Sequence, residues 1–249
     1  MMMKYILALT SASLLLLSGC QQEDIRQTPD THGMLAVKFS KAGVINGTDA
    51  DAESQIHTLN GYHFEDGILK ETFSSLQMDA EGICHLDIAP MKGSLYFLAN
   101  GEKAITPENL KEGVTTLEAF LKQQATAENM ASESMLMTGK TELGTDDTSV
   151  SVSLKRAVAR IDLDSPFEDA EVNSVVLKNV ALTGYLYEQD ALQTSEKFET
   201  TDLTKDFGEQ PFKNDKTSLF YLPEQNSNGH EVEIMITTHG GWHRLKTTL

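Results

Sequence analysis

Histidine is the residue type in this chain with the widest chemical scope, because it binds metals and transfers protons near neutral pH. His239 and His243 have the i, i+4 spacing of a zinc-binding helix, but Gly240 and Gly241 lie between them and disfavour a helix. The glutamate of a metalloprotease motif is missing as well. The remaining histidines are scattered along the sequence: His32, His57, His63, His85 and His230. This pattern favours a turn with exposed histidines over a zinc site.

Two carboxylates have the spacing that acid–base chemistry uses. Asp162 and Asp164 flank Leu163, so in a strand they point to one face and form a candidate carboxylate pair. A solvated strand end is the better account, because no Gly-x-Ser-x-Gly elbow, P-loop or dinucleotide fingerprint accompanies them in the sequence. We therefore expect no catalytic residues, no metal and no cofactor, and we interpret the chain as a non-enzyme.

The N-terminus has the pattern of an export signal. Lys4 precedes an apolar stretch, residues 5–17, which is too short for a membrane span of about 20 residues. Residues 17–20 read Leu-Ser-Gly-Cys and resemble the bacterial lipobox. This resemblance implies cleavage between Gly19 and Cys20 and lipid attachment at Cys20, with residues 1–19 as the signal peptide. A soluble secreted protein with a cysteine near the cleavage site is the alternative.

Charge and cysteine content narrow the function classes further. The 249-residue chain has a net charge of −17, and loss of the signal removes only Lys4, which makes it −18. So acidic a chain does not bind nucleic acid through its overall field. Acidic loops could hold calcium weakly, but no stretch has the EF-hand spacing. Cys84 is the only cysteine after Cys20, so no intramolecular disulfide is expected, and we interpret it as a small buried strand residue.

Hydrophobic periodicity predicts a chain made mostly of strands. Residues 20–33 read as a polar tether, residues 34–39 as the first strand and residues 41–54 as a loop. Further strands are expected at residues 82–88, 93–100, 150–163, 172–187, 218–223 and 231–237, with a register change near Arg156. One helix is predicted with Thr106 as its N-cap and Pro107 as its first residue, with apolar residues at helical spacing up to Leu121. An acidic linker predicts two β-sandwich domains, 34–145 and 146–249, with the helix in the first.

Several segments resemble the fimbrillins, the pilin subunits of Bacteroides-type fimbriae. Residues 155–163 (KRAVARIDL) resemble their "KRxxARID" strand and include Arg156, Arg160 and Asp162. Residues 220–225 (FYLPEQ) resemble their "YLPEN" segment and include Tyr221, Pro223 and Glu224. Residues 95–100 (LYFLAN) and 135–139 (MLMTG) resemble the first-domain "YFLAN" strand and its closing "MTG", and residues 173–179 resemble a strand of the second domain. Together these motifs span nearly the whole chain after the lipobox.

The resemblance implies two transthyretin-like β-sandwich domains and a structural subunit of a surface fimbria, either stalk or anchor. It further implies travel to the cell outer membrane as a lipoprotein, support of adhesion and biofilm formation, and assembly with other fimbrial subunits by donor-strand exchange. The chemistry of that exchange is general, because a donor strand restores main-chain hydrogen bonds and fills alternate side-chain pockets.

In stalk subunits of this family a protease removes the tether together with the first strand. Here the displaced strand would consist of Met34, Leu35, Ala36, Val37, Lys38 and Phe39. The cut would fall in the loop 41–54, with Lys41 as the candidate basic target and Arg26 as the only arginine before Arg156. The family's proteases often cut after arginine, and that loop has none. An uncut chain suits an anchor subunit that keeps its lipid.

Two further points follow from the residues and the resemblance. Family members continue past the turn at Gly240 and Gly241, so we expect either truncation at Leu249 or a second domain without edge strands. Arg156 and Arg160 are expected to pair with acidic residues between the domains or at a subunit interface.

The rival function is a carbohydrate- or peptide-binding surface lipoprotein, for which Trp242 is the plausible sugar-stacking residue. A lipid-anchored hydrolase is disfavoured by the missing catalytic motifs.

Overall fold

Alternating apolar and polar residues make β-strands the dominant structure of this chain, as a computed structural model shows. The structure describes residues 33–41, 53, 55–88, 92–105, 109–131, 134–166, 169, 171–188, 199–224, 232–239 and 241–247. These residues lie within one compact unit, His32–Leu249. The predicted signal peptide and tether, with Cys20 and Arg26, lie outside the described residues.

Fifteen strands and two short helices have described bounds. The strands are β1 (Gly33–Lys41), β2 (Leu59–Glu65), β3 (Ile68–Phe73), β4 (Ile83–Ile88), β5 (Gly93–Ala99), β6 (Gln124–Thr126), β7 (Met137–Leu143), β8 (Ser149–Arg156), β9 (Val158–Ser165), β10 (Val172–Ala181), β11 (Thr183–Tyr185), β12 (Thr200–Asp206), β13 (Asp215–Pro223), β14 (Val232–Thr238) and β15 (Gly241–Thr247). The helices are α1 (Leu117–Leu121) and α2 (Ala127–Met130). Among the described residues, no helix is long and apolar enough to cross a membrane.

Seven strands form one sheet in the order β3-β2-β5-β7-β8-β1-β4. The link between β7 and β8 consists of two residue pairs, Met137 with Arg156 and Thr138 with Lys155. Strands on the two sides of this link contribute to one apolar core, and the rings of Phe39 and Phe97 meet edge to face at 4.9 Å. The two halves of the sheet therefore pack face to face as a β-sandwich.

The outer face of this sandwich carries a second core. Successive residues of β5 alternate between the two cores, because side chains along a strand point to opposite faces. Phe97 belongs to the core inside the sandwich, whereas Tyr96 and Leu98 face a core that includes Phe120 of α1 and Met130 of α2. Strand β5 is thus buried on both faces, which accounts for its apolar run from Leu95 to Ala99.

A second set of strands follows β8 along the chain. Strands β9 and β13 pair with each other, and a four-stranded sheet has the order β12-β10-β14-β15. Leu177 of β10, Leu222 of β13 and Val232 of β14 meet in a third core against which Ile161 of β9 packs. The prediction of a mainly β fold built from β-sandwiches is confirmed.

Two predicted elements differ from the structure. The helix expected after Thr106 begins only at Leu117, with Thr116 as its N-cap, while Thr106 and Pro107 lie outside the described residues. Gly113 has φ +73°, and the Leu117 amide donates to the Gly67 carbonyl beside β3, so the preceding turn cannot continue a helix. A second short helix, α2, follows α1, where the sequence predicted a single helix.

The strand predicted over residues 150–163 is two strands that separate at Ala157. Strand β8 pairs antiparallel with β7 and parallel with β1, whereas β9 leaves that sheet and pairs with β13. The register change expected near Arg156 is therefore the point at which the chain changes sheets. The division into domains at residues 145 and 146 stays a prediction.

Candidate functional site

Strand β1 occupies an interior position in its half of the sandwich. Its first residues, Gly33 to Lys38, pair antiparallel with β4, and its last residues, Ala36 to Lys41, pair parallel with β8. Both edges of β1 are therefore hydrogen-bonded. The predicted displaced strand, residues 34–39, lies within β1, and the candidate cleavage residue Lys41 is its last residue.

The side chains of β1 alternate strictly between core and solvent. Leu35, Val37 and Phe39 are buried, with 4%, 0% and 8% of their surface exposed. Met34 is 64% exposed, and Lys38 lies in solvent as well. One face of β1 thus fills the core with apolar groups at every second position, and the backbone completes two ladders.

Strand β4 depends on β1 for its sheet pairing. Among the described residues, β4 is paired with β1 alone. Cys84 of β4 lies opposite Val37 and is 1% exposed. Burial raises the pKa of its thiol to about 11, and the negative charge of Asp79 adds to the rise. The thiol is therefore protonated and shielded as long as β1 is in place.

A second polar feature lies around Glu53, which follows β1 in the sequence. Arg160 of β9 places Nη1 2.5 Å from Glu53 Oε2, and the hydroxyl of Tyr221 in β13 donates to Glu53 Oε1 at 2.5 Å. Arg160 also donates through Nη2 to Asp162 at 3.0 Å. Burial lowers the pKa of the Arg160 guanidinium, but the hydrogen bonds and charges of Glu53 and Asp162 outweigh it and raise that pKa. Arg160 is thus a firmly charged partner.

Asn100 holds the residues that follow Glu53. Its Oδ1 accepts hydrogen bonds from the amides of His57 at 2.9 Å and Thr58 at 3.4 Å. Its Nδ2 donates to the carbonyls of Gln55 at 2.8 Å and Met135 at 3.0 Å. Asn100 has φ +57°, which asparagine tolerates better than most residues. In this conformation its side-chain amide faces residues 55–58. The side chains of Asn100, Arg160 and Tyr221, bound to residues 53 and 55–58, are called the polar clamp below.

The remaining predicted motif residues lie near one cavity of about 390 Å³, which Arg156 and Glu224 help to line. Burial lowers the pKa of Arg156, and burial raises that of Glu224, with the charge of Glu188 as a smaller cause. Pro223 packs where a Cβ on Gly184 would lie 2.4 Å from its own Cβ. The motif segments 155–163 and 220–225 therefore have roles in packing.

The other candidate residues, where the structure describes them, pack in a core, form an ion pair or face solvent. Tyr96 and Phe97 are core residues, with 4% and 0% exposure, and the side chain of Trp242 lies outside the described residues. Asp162 is paired with Arg160, whereas Asp164 is exposed. Within the described part of the chain, no group of three or more histidine, cysteine or acidic residues could hold a metal ion.

Glu53 is the member of this polar cluster that the sequence did not single out. It was visible only as one acid among many in a polar loop, and its partners are 107 and 168 residues away. Asn100, Arg160 and Tyr221 were each part of a recognised motif, but no local pattern shows that the three meet. Only the fold brings them to one segment.

The two packed sheets and the buried first strand define a β-sandwich protein. The family model of the fimbrillin-A associated anchor proteins Mfa1 and Mfa2 matches residues 25–247, so the chain belongs to that family. The resemblance to fimbrillins is thereby confirmed. The chain is a structural subunit of cell-surface fimbriae, and its partners are other fimbrial subunits. None of the curated proteins matches the sequence.

Solved structures of fimbrial proteins share the fold. The tip fimbrial protein Mfa3 of Porphyromonas gingivalis, solved with a C-terminal truncation, is 16% identical with a TM-score of 0.57, and 88% of this chain covers 82% of that one. A fimbrial assembly protein of Parabacteroides distasonis is 14% identical with a TM-score of 0.55, at coverages of 87% and 85%. A fimbrilin of Porphyromonas gingivalis is 10% identical with a TM-score of 0.51, at coverages of 84% and 72%. At these identities the likeness concerns the fold.

Proposed function

We propose that this fimbrial subunit is delivered to the outer membrane on a lipidated Cys20, and that a neighbour's strand replaces β1 where the chain is cut after it. The observation that carries the proposal is the position of β1. It is the first strand of the sandwich, it pairs on both edges, and it fills the core with Leu35, Val37 and Phe39. A strand so placed leaves a continuous groove when it departs, and a strand of the same pattern can fill it.

Loss of β1 would strongly lower the folding stability of the rest of the subunit. Burial of one large apolar side chain contributes roughly 1.5–3 kcal/mol, so the three buried residues of β1 together contribute roughly 5–9 kcal/mol. The facing backbone groups of β4 and β8 would also lose their partners. A replacement strand from a neighbour needs apolar residues at three alternate positions and polar residues between them. This requirement selects β-strand donors and gives the subunit contact its directionality.

Whether β1 is removed or retained determines whether the subunit serves in the stalk or as an anchor. A chain cut after Lys41 loses both lipid and β1 and serves as a stalk subunit, whereas an uncut chain keeps both and serves as an anchor. Residues 41–54 contain no arginine, which supports the anchor role. The anchor proteins of the matching family support it too. In either place the subunit would support adhesion and biofilm formation through the fimbria.

Analysis of the N-terminus of surface material separates the two roles. Metabolic labelling with a palmitate analogue and a start at Cys20 are expected for the anchor. A start near Val44, without label, would assign the chain to the stalk. An unlabelled protein that starts at neither position would refute lipid delivery. Electron microscopy of cells with and without the gene product then shows whether ordered fimbriae depend on it.

Strand exchange itself is tested on the full mature chain with a specific protease site inserted between Gly47 and Thr48. After cleavage, β1 stays bound without a covalent link, and a labelled peptide with the sequence of Gly33–Lys41 is added in excess. We expect slow incorporation of this peptide and release of the original fragment, detected by native mass spectrometry. The matched control is the same peptide with Val37→Asp, which would bury an unpaired charge and should not bind. Equal incorporation of both peptides, or of neither, would refute exchange at β1.

A further inference from the structure

Three motif segments that are far apart in the sequence direct polar side chains at one short piece of chain. Arg160 and Tyr221 bind the carboxylate of Glu53, and Asn100 binds the backbone of residues 55, 57 and 58. The Met135 amide adds a hydrogen bond to the Glu53 carbonyl at 3.2 Å, and the Asn100 amide donates to the Thr58 carbonyl at 3.1 Å. Residue 53 follows β1 in the sequence, and residue 59 begins β2. The polar clamp therefore binds chain that lies between these two strands in the sequence.

The central contacts of the clamp are shielded from water. The side chains of Arg160 and Glu53 are 6% and 12% exposed. Hydrogen bonds to charged groups contribute more than neutral ones, and shielding from solvent strengthens them. By contrast, the ion pair of Lys155 and Glu188, which starts from the same motif segment, is 58% and 66% exposed. Exposed pairs of this kind contribute little. The clamp is thus a strong attachment, and Lys155 provides a matched weak one.

The clamp attaches the chain to a different core from the one that β1 fills. Leu59 at the start of β2 belongs to the core with Val37 and Phe39, so it loses packing when β1 leaves. Met135 belongs to the second core, and Tyr221 packs against that same second core. The hydrogen bonds that hold Glu53, Gln55, His57 and Thr58 therefore do not involve β1, although Ile56 and Leu59 pack against the core that β1 fills.

We propose that the polar clamp is a stop that confines the release of β1, so that the opening of the groove does not spread into β2. This inference rests on the proposed exchange of β1. Without a stop, a chain end near residue 53 would fray into β2, because terminal segments open first unless they are tied down. With the clamp closed, Leu59 keeps its position and the groove keeps the shape that a donor strand must fill. Arg160, Tyr221 and Asn100 act as positioning residues.

The test compares hydrogen exchange in the cut and uncut forms of the full mature chain with the protease site between Gly47 and Thr48. The readout is the ratio of exchange rates, cut over uncut, at the amides of His57, Thr58 and Met135. In the uncut chain the upstream strand also restrains this segment, whereas in the cut chain the clamp alone holds it. A residue with a purely structural role changes both forms alike and leaves this ratio unchanged.

For the unaltered protein we expect a ratio within about twofold of one. Tyr221→Phe removes the hydroxyl that donates a hydrogen bond to the charged carboxylate of Glu53. For this variant we expect a ratio of about ten or more. Glu53→Gln is the second variant and should act in the same direction, in case the first alters the packing against the second core. Lys155→Met is the control and should match the unaltered protein.

Two outcomes would overturn the clamp. One is a ratio for both variants equal to that of the unaltered protein, and the other is an equal rise in Lys155→Met. The peptide incorporation experiment separates this inference from the proposed function. If the β1 peptide fails to enter while the exchange ratios follow expectation, strand exchange is refuted and the clamp stands. If the peptide enters but the ratios do not respond, strand exchange stands and the clamp is refuted.

Discussion

Replacement of Phe39 by alanine is the perturbation that tests the packing of β1 most directly. The ring is 8% exposed and meets Phe97 across the sandwich at a centroid distance of 4.9 Å, edge to face. Truncation of a buried phenylalanine costs about 3–5 kcal/mol, and the lost edge-to-face contact contributes about 0.5–1.5 kcal/mol of that. Because Phe39 lies near one end of its strand and is slightly exposed, we expect a cost of about 3 kcal/mol.

That cost has two measurable consequences. In the intact chain the free energy of unfolding in urea should fall by about 3 kcal/mol, which corresponds to a melting temperature lower by about 6–12 °C for a chain of this size. In the chain cut after β1, the affinity of the non-covalent strand should fall by about 150-fold. Lys38→Ala is the matched control on the same strand, because Lys38 faces solvent, and it should change stability by less than about 0.5 kcal/mol.

The thiol of Cys84 reports the release of β1 in the cut chain. It lies opposite Val37 and is buried while β1 is bound, so a maleimide should label it only after the strand has left. We expect labelling to be much faster in Phe39→Ala than in the unaltered protein, and unchanged in Lys38→Ala. Equal labelling rates in all three proteins, together with equal melting temperatures, would show that the inward face of β1 does not hold the strand.

Further predictions concern the same sandwich. Because the pKa of Cys84 is raised to about 11 in the folded state, the unfolded state loses its proton first, and stability should fall by on the order of 2 kcal/mol between about pH 9 and pH 11. Urea titrations across this range should show a shallower fall in Cys84→Ala, and identical slopes would contradict the reasoning. Gly139→Ala should lower the free energy of unfolding, measured by calorimetry, by about 1–3 kcal/mol. The added Cβ on β7 would lie 2.6 Å from Val152 Cγ1 on β8. Gly33→Ala is its control, since nothing lies within 4 Å of that Cβ, and an equal loss in both would exclude steric crowding as the cause.

Local sequence was sufficient for the faces of the strands. Residues 34–39 were predicted to form a strand, and in the structure Leu35, Val37 and Phe39 share its buried face while Met34 and Lys38 face solvent. The reason is geometric, because the side-chain period of a strand is two whatever it pairs with. The motifs of residues 95–100, 155–163 and 220–225 were likewise sufficient for the family.

Local sequence was not sufficient for the limits of the helix or of the long strand. Helical spacing up to Leu121 is real, but Gly113 and the pairing of residues 115–117 beside β3 restrict the helix to its last turns. Alternation through Ala157 suggests one strand, yet the chain changes sheets there. In both places a tertiary contact outweighs a propensity of a few tenths of a kcal/mol per residue.

By itself, then, the sequence determined the β class and the family, and it located the first strand, whereas the export signal stays a prediction. The tertiary structure alone decided that β1 lies between β4 and β8, that Cys84 faces Val37, and that Glu53 meets Arg160 and Tyr221. These pairings join segments up to 168 residues apart, and no local pattern contains the energy difference between competing partners. That difference arises only when all strands compete for one core, so the neighbours of β1 and the contacts of Glu53 became visible only in the folded chain.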